Sequence, residues 1–180
     1  MCGMAQEVNE QDHVDRFLVT IAEQLPDLDL TVEGIVDRIG GLSRRFRRML
    51  DETLAEHELA QGEWHVLGQL VRTGKRFSPG KLAATAELST GAMTNRLDRL
   101  EERGLVRRLP DPNDRRALEV EVTDEGRRVW EATVDVQAAK EALIASALDD
   151  GEKDQLNALL RRLMLAFEQR HGPEDKKKHE

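Results

Sequence analysis

The chain has 180 residues and carries 27 Lys and Arg against 35 Asp and Glu, a formal net charge of −8. At 20.4 kDa and a mean hydropathy of −0.58 it is long enough to bury a core without staples, and it has no apolar run that would cross a bilayer. The single cysteine, Cys2, excludes an internal disulfide, and the start MCGMAQEV lacks the apolar stretch of a signal peptide; both point to a cytoplasmic protein with no membrane partner.

The total charge hides an asymmetry. Residues 62–122 hold 11 basic and nine acidic residues, or +2, which leaves −10 for the flanks. The middle is therefore the part suited to a polyanion. Aromatic residues make up only 3% with no Tyr, which argues against stacking platforms for single-stranded nucleic acid.

In chain order, residues 1–11 have no periodicity and read as disordered, as does the charged stretch 172–180. Val14, Phe17, Leu18, Ile21 and Leu25 fall at helical spacing, and Pro26 closes that segment. A longer helix follows, with Val32, Ile35, Val36, Ile39, Leu42, Phe46, Met49, Leu50 and Leu54 in one apolar stripe and Arg44, Arg45, Arg47 and Arg48 on what reads as a solvated face. Trp64, Leu67, Leu70 and Val71 predict a helix ending at Gly74. Ser78-Pro79 then starts another that runs to about Glu87. A third begins at Ser89 or Thr90, turns Met93, Leu97 and Leu100 inward, and stops at Gly104. The tight connection between the last two fits a helix-turn-helix.

After Gly104 the period changes to two. Residues 105–109 predict a strand, 110–114 a turn, and 117–122 a return strand with Leu118, Val120 and Val122 on one face. Thr123 caps a long helix containing Val129, Trp130, Val134, Leu143, Ile144 and Leu148, and Asp149-Asp150-Gly151 breaks the chain before a last helix with Leu156, Leu159, Leu160, Leu163 and Phe167. The fold class is mainly α with a small β-hairpin wing: 12–61 and 123–171 are helical flanks around a winged helix-turn-helix at 62–122.

Enzyme signatures are missing: the sequence has no phosphate loop, no G-x-G-x-x-G, no G-x-S-x-G and no H-E-x-x-H. No catalytic residue, cofactor or metal ligand set is assigned. The nucleic-acid signal is composite. Ser89, Thr90, Gly91, Thr94 and Asn95 put small polar groups near the start of the third helix, where base edges would lie, and Lys81 adds a charge from the helix before it. Arg96, Arg99 and Arg103 either neutralise phosphates or pair with Asp98, Glu101 and Glu102. At the hairpin tip, Arg115 and Arg116 suit a narrow minor groove, with Asp114 placed to hold one of them extended.

The stretch from Gly62 through Gly126, above all GAMTNRLDRLEERGLVRRLPDPNDRRALEVEVTDEG, resembles the MarR (multiple antibiotic resistance regulator) family of winged-helix transcriptional regulators. The family's D-x-R wing pattern falls on Asp114 and Arg116. The resemblance implies a homodimer built by the flanking helices, reading a pseudo-palindromic double-stranded operator; the expected function is that of a repressor released by a small anionic ligand. The helix around Asp12 to Gln24 and the block TNRLDRLEERGLVRR are similar to the branch that answers urate or small carboxylates. That likeness implies ligand-binding positions at Arg96, Arg108 and His65. His65 follows Trp64 where the branch has an aspartate, so an anionic ligand, carboxylate or phenolic, fits better than urate itself. His65 can equally be a hydrogen-bonded histidine in a packing surface. Two other functions compete: a redox or metal switch on the same scaffold through Cys2 or the histidines, and a helical assembly protein without DNA binding.

Overall fold

A computed structural model describes residues 11–112, 114 and 117–172. By internal contacts the chain divides after Trp130 into two compact units. The first begins with α1 (His13–Gln24) and α2 (Leu30–Glu56). Asp12 caps α1 by accepting from the Val14 and Asp15 amides at 2.8 and 2.9 Å, and Asp15 accepts from the Asp12 amide at 3.0 Å. Arg38 of α2 then donates to Asp12 at 3.0 Å and to Asp15 at 2.5 Å. These backbone and guanidinium hydrogen bonds, with the Asp15 amide foremost, lower the Asp12 pKa to about 2. Leu18 packs at Gly34 and His13 at Gly41, so the two helices run antiparallel, with glycines where α1 sits closest.

Next come α3 (Gln61–Thr73), α4 (Pro79–Thr85), α5 (Thr90–Glu102), β1 (Val106–Pro110) and β2 (Leu118–Val122). Leu54, Leu67, Leu70, Leu82, Met93, Leu97, Leu100, Val106 and Val120 close one core beneath them. Each such side chain contributes about 1.5–3 kcal/mol relative to exposure. α3 ends at Gly74, whose φ of +61 is the left-handed conformation glycine adopts without strain. The hairpin pairs Val106 with Val122 and Arg108 with Val120, so the strands lie at 106–110 and 118–122, one residue later at their starts than the pattern predicts. A third short strand segment is new: Phe77 donates to the Val120 carbonyl at 3.1 Å and accepts from its amide at 2.8 Å. α4 stops at Thr85, two residues before the expected Glu87, which takes a positive φ in the turn.

α6 (Asp124–Ala145) starts where Thr123 accepts from the Gly126 amide at 3.0 Å while donating to the Gly104 carbonyl at 2.7 Å. One hydroxyl thus joins the end of α5 to the start of α6. In the second unit two expectations are corrected. Leu148 lies in the turn after α6, and Asp150 and Gly151 belong to α7 (Asp150–His171). Asp149 accepts from the Glu152 amide and Glu152 from the Asp149 amide, both at 2.9 Å, so this acidic cluster nucleates a helix. Val32, Ile35, Val36 and Ile39 of α2, and Leu156, Leu159, Leu160, Leu163 and Phe167 of α7, are exposed. Among the described residues no helix is long and apolar enough to cross a membrane.

Candidate nucleic-acid interface and adjoining cationic cleft

α5 has two faces of opposite character because its apolar residues recur at three- and four-residue spacing. Met93, Leu97 and Leu100 are fully buried, while Thr90, Gly91, Thr94 and Asn95 are exposed on the other side. Ser89 is the N-cap: its hydroxyl accepts from the Ala92 amide at 3.2 Å, and the helix amides before it stay open to an anion. The Thr94 hydroxyl donates back to the Thr90 carbonyl at 2.9 Å, which fixes its rotamer. A methyl at Gly91 would meet nothing within 4 Å among the described residues, so the surface there is open. Lys81, exposed on α4, holds its ammonium 5.1 Å from the Phe77 ring.

The arginines of α5 have partners that spacing does not disclose. Arg99 pairs with Glu63 at 2.9 Å; that carboxylate, nearly buried, also accepts from the Ala60 amide at 2.9 Å and so ties α5 to the start of α3. Arg103 donates to the Glu58 and His57 carbonyls at 2.6 and 2.9 Å, capping the C-terminal end of α2. These two arginines take none of the three same-helix acids expected for them. On the wing, Glu121 sits between Arg76, at 2.5 Å, and its cross-strand partner Arg107. Burial alone would raise the Glu121 pKa, but the two guanidiniums outweigh it and hold the carboxyl below its usual value. Arg76 and Arg107 escaped the sequence reading, although the hairpin register that faces Arg107 with Glu121 was a usable signal. Asp114 is described and exposed, and its carbonyl accepts from the Ala117 amide at 2.9 Å. Arg115 and Arg116 lie outside the described residues, as does Cys2.

Beside α5, toward α3, cationic side chains gather around His65. The Arg96 guanidinium rests on Gly62: a Cβ there would come within 2.3 Å of Arg96 Cζ. Arg96 and Arg72 are both close enough to His65 for their charges to act on it. With partial burial as the leading cause, they lower the imidazole pKa below 6.5 and favour the neutral ring. Trp64 stacks on Trp130 with centroids 6.4 Å apart, and the Arg72 guanidinium lies 6.0 Å from the Trp130 ring centre. Gly68 makes room for that indole, whose nitrogen would be 2.8 Å from a Cβ at this position.

Arg108 does not join this group. It is held by Asp98 at 2.7 Å and Glu101 at 2.5 Å, with its own amide donating to Glu101 at 2.9 Å. At about 100° per residue, Asp98 and Glu101 lie roughly opposite Arg96 on the α5 surface. Of the three ligand positions implied by the resemblance, the fold brings His65 and Arg96 together, and places Arg108 on the other flank of the helix as a tie between α5 and β1.

The sequence pattern of the MarR family matches residues 59–118. The chain is 32% identical over 162 residues to the HTH-type transcriptional regulator PecS of Dickeya dadantii (strain 3937), covering 89% of this chain and 95% of that protein. Wild-type MarR from E. coli has a similar structure, with a TM-score of 0.61 and 27% identity over 71% of this chain and 94% of that one. A MepR mutant from S. aureus bound to an oligodeoxyribonucleotide shares the fold, with a TM-score of 0.62 and 21% identity over 74% of this chain and 97% of that one. With the helix-turn-helix over a buried core, the three-segment wing and a relative covering 89% of its length, this chain belongs to the MarR family, as a transcriptional regulator with a DNA-binding winged-helix fold.

Proposed function

We propose that the protein acts in the cytoplasm as a homodimeric repressor that binds a pseudo-palindromic double-stranded operator and is released by a small anionic ligand. The observation that carries the DNA reading is the exposed half of α5, where Gly91, Thr94 and Asn95 stand clear of a fully buried Met93-Leu97-Leu100 ridge. Such a helix can enter a major groove without unfolding its core. Asn95 and Thr94 read base edges, and Ser89 and Thr90 anchor the helix start to phosphate. Lys81, Arg99, Arg115 and Arg116 supply backbone and minor-groove charge, with Asp114 orienting the wing tip; Arg99 does so with its exposed nitrogens, since Glu63 holds one edge of its guanidinium. The exposed apolar faces of α2 and α7 supply the surface for the dimer, with residues 12–61 and 123–171 flanking the DNA-binding part at 62–122.

The ligand binds at the cationic group of His65, Arg96 and Arg72. Two guanidiniums and a neutral imidazole beside stacked indoles favour a carboxylate or phenolate on a planar body, of the kind that the small-carboxylate branch of the family answers. Arg108 acts from the far flank: its bonds to Asp98 and Glu101 fix α5 against the wing, so a ligand that shifts α5 also shifts the wing. The test is a salt-dependent gel shift on the DNA upstream of the protein's own gene. Each phosphate contact contributes a slope of about −0.9, so Arg116→Ala should weaken binding and flatten the slope by about one unit. An unchanged affinity and slope would remove the wing from the mechanism.

A further inference from the structure

The arginine row of α2 has no role in that reading. Arg44, Arg45 and Arg48 have no hydrogen bond or ion pair among the described residues, in a chain whose net charge is −8. They stand at i, i+1 and i+4, so their charges repel one another along the helix. At about 100° per residue all three fall within about 60° of Gly41, the position on which His13 of α1 rests, and opposite the apolar stripe of Val32, Ile35 and Ile39. Whatever covers that stripe leaves the arginines open. Because α1 runs antiparallel to α2 and starts at His13, its beginning faces along α2 toward Arg45 and Arg48.

Together His13, Gly41, Arg44, Arg45 and Arg48 line an open cleft of about 270 Å³. A smaller one of about 210 Å³ adjoins it, lined by His13, Val14, Phe17, Asp37 and Arg44. Of the carboxylates nearby, Asp12 and Asp15 are engaged by Arg38. Asp37 lines only the smaller cleft, which leaves the larger one lined, among the described residues, by cationic and neutral groups alone.

We propose that the cleft between α1 and α2 is an anion site separate from the one at His65 and Arg96, and that it takes a free, compact polyanion of the phosphate type. Arg45 and Arg48 make the principal contacts, with Arg44 and His13 at the edges. A monocarboxylate would leave most of these donors unused, whereas a diphosphate or triphosphate spreads oxygens over several guanidinium forks at once.

The probe is inorganic pyrophosphate, titrated calorimetrically into the full-length protein at constant physiological ionic strength. The expected result is saturable binding at one pyrophosphate per chain. Affinity should fall at least about tenfold in Arg45→Ala/Arg48→Ala and stay within about twofold of wild type in Arg96→Ala and in Arg47→Ala, which removes a charge from another face of α2. Circular-dichroism melts of the variants should match wild type, and Arg45→Lys/Arg48→Lys, which keeps charge but loses the fork, should fall between. Absence of saturable binding, an equal loss in Arg47→Ala or Arg96→Ala, or an undiminished affinity in the double variant would overturn the site. Displacement of pyrophosphate by operator DNA would make the row a DNA contact, and binding seen only after deletion of residues 1–10 would make that segment its occupant; either outcome refutes a free-anion site. None of these results bears on whether a ligand at His65 and Arg96 releases DNA, so the two proposals fail separately.

Discussion

Gly62→Ala isolates the cationic group around His65 from the rest of the fold. A Cβ at residue 62 would lie 2.3 Å from Arg96 Cζ and 2.4 and 2.7 Å from its terminal nitrogens. Contacts between heavy atoms relax at about 3.5–4.0 Å, so the guanidinium has to retreat by about 1 Å or more. It is the end of a flexible side chain and can do so without moving backbone. Alanine in a helix also gains up to about 0.5–1 kcal/mol over glycine, so the melting temperature should hold or rise. The charge near His65 would recede, and its pKa would climb toward 6.5. NMR titration of the imidazole C–H signals, with His65 assigned through His65→Gln, reads this without any ligand. Arg96→Ala should shift His65 in the same direction. For the ligand itself, a displaced guanidinium forfeits a charged hydrogen bond of about 1.5–3 kcal/mol, roughly tenfold or more in affinity. A lowered melting temperature with an unmoved His65 titration would show that Gly62 serves helix packing and that Arg96 does not govern that group.

The pH response follows from the same group. The folded pKa of His65 lies below its unfolded value of 6.5, so between the two the unfolded chain binds the extra proton. Stability should therefore rise as pH increases through that window and level off above 6.5; urea midpoints of wild type and His65→Gln measured across it should converge at the upper end. Gly126→Ala should behave oppositely to Gly62→Ala, because its Cβ would lie 2.0 Å from the Leu105 carbonyl oxygen, which is backbone. A loss of about 1–3 kcal/mol is expected from overpacking, outweighing the helix gain, and a melting curve unchanged from wild type would contradict that packing. Sedimentation at micromolar concentration should give a dimer, and charged substitutions at Ile35 and Ile39 should return it to monomer without unfolding the winged helix; a wild-type monomer that binds its operator tightly would refute dimerisation through α2.

The helices and hairpin were legible because each repeats a local period: Met93, Leu97 and Leu100 mark α5, and Val120 with Val122 mark the return strand. Phe77 was not, since a single pair of backbone hydrogen bonds to Val120 leaves no pattern of its own. Asp149-Asp150-Gly151 read as a break because acids and glycine favour turns, yet the glutamate three residues after Asp149 completes a capping box. Arginine was the hardest residue to place. Its length lets Arg103 reach carbonyls 45 and 46 positions away and Arg99 reach Glu63 on another helix, so charge was visible but partner was not. Arg108 is a case where the signal existed: Asp98 and Glu101 share a face of α5 that Arg96 does not, which separates Arg96 from any group those acids hold.

Whether α5 reads DNA sequence is decided by quantitative footprinting of wild type and Asn95→Ala on the region upstream of the gene, with a panel of single base-pair changes in the protected site. A two-fold symmetric footprint is expected, with half-sites about one helical turn, or a multiple of it, apart. Wild type should lose about 1–3 kcal/mol at particular positions in each half, with Asn95→Ala indifferent to the base at one of them. Identical rankings of the operator panel by the two proteins, or protection with no symmetric site, would contradict readout by α5.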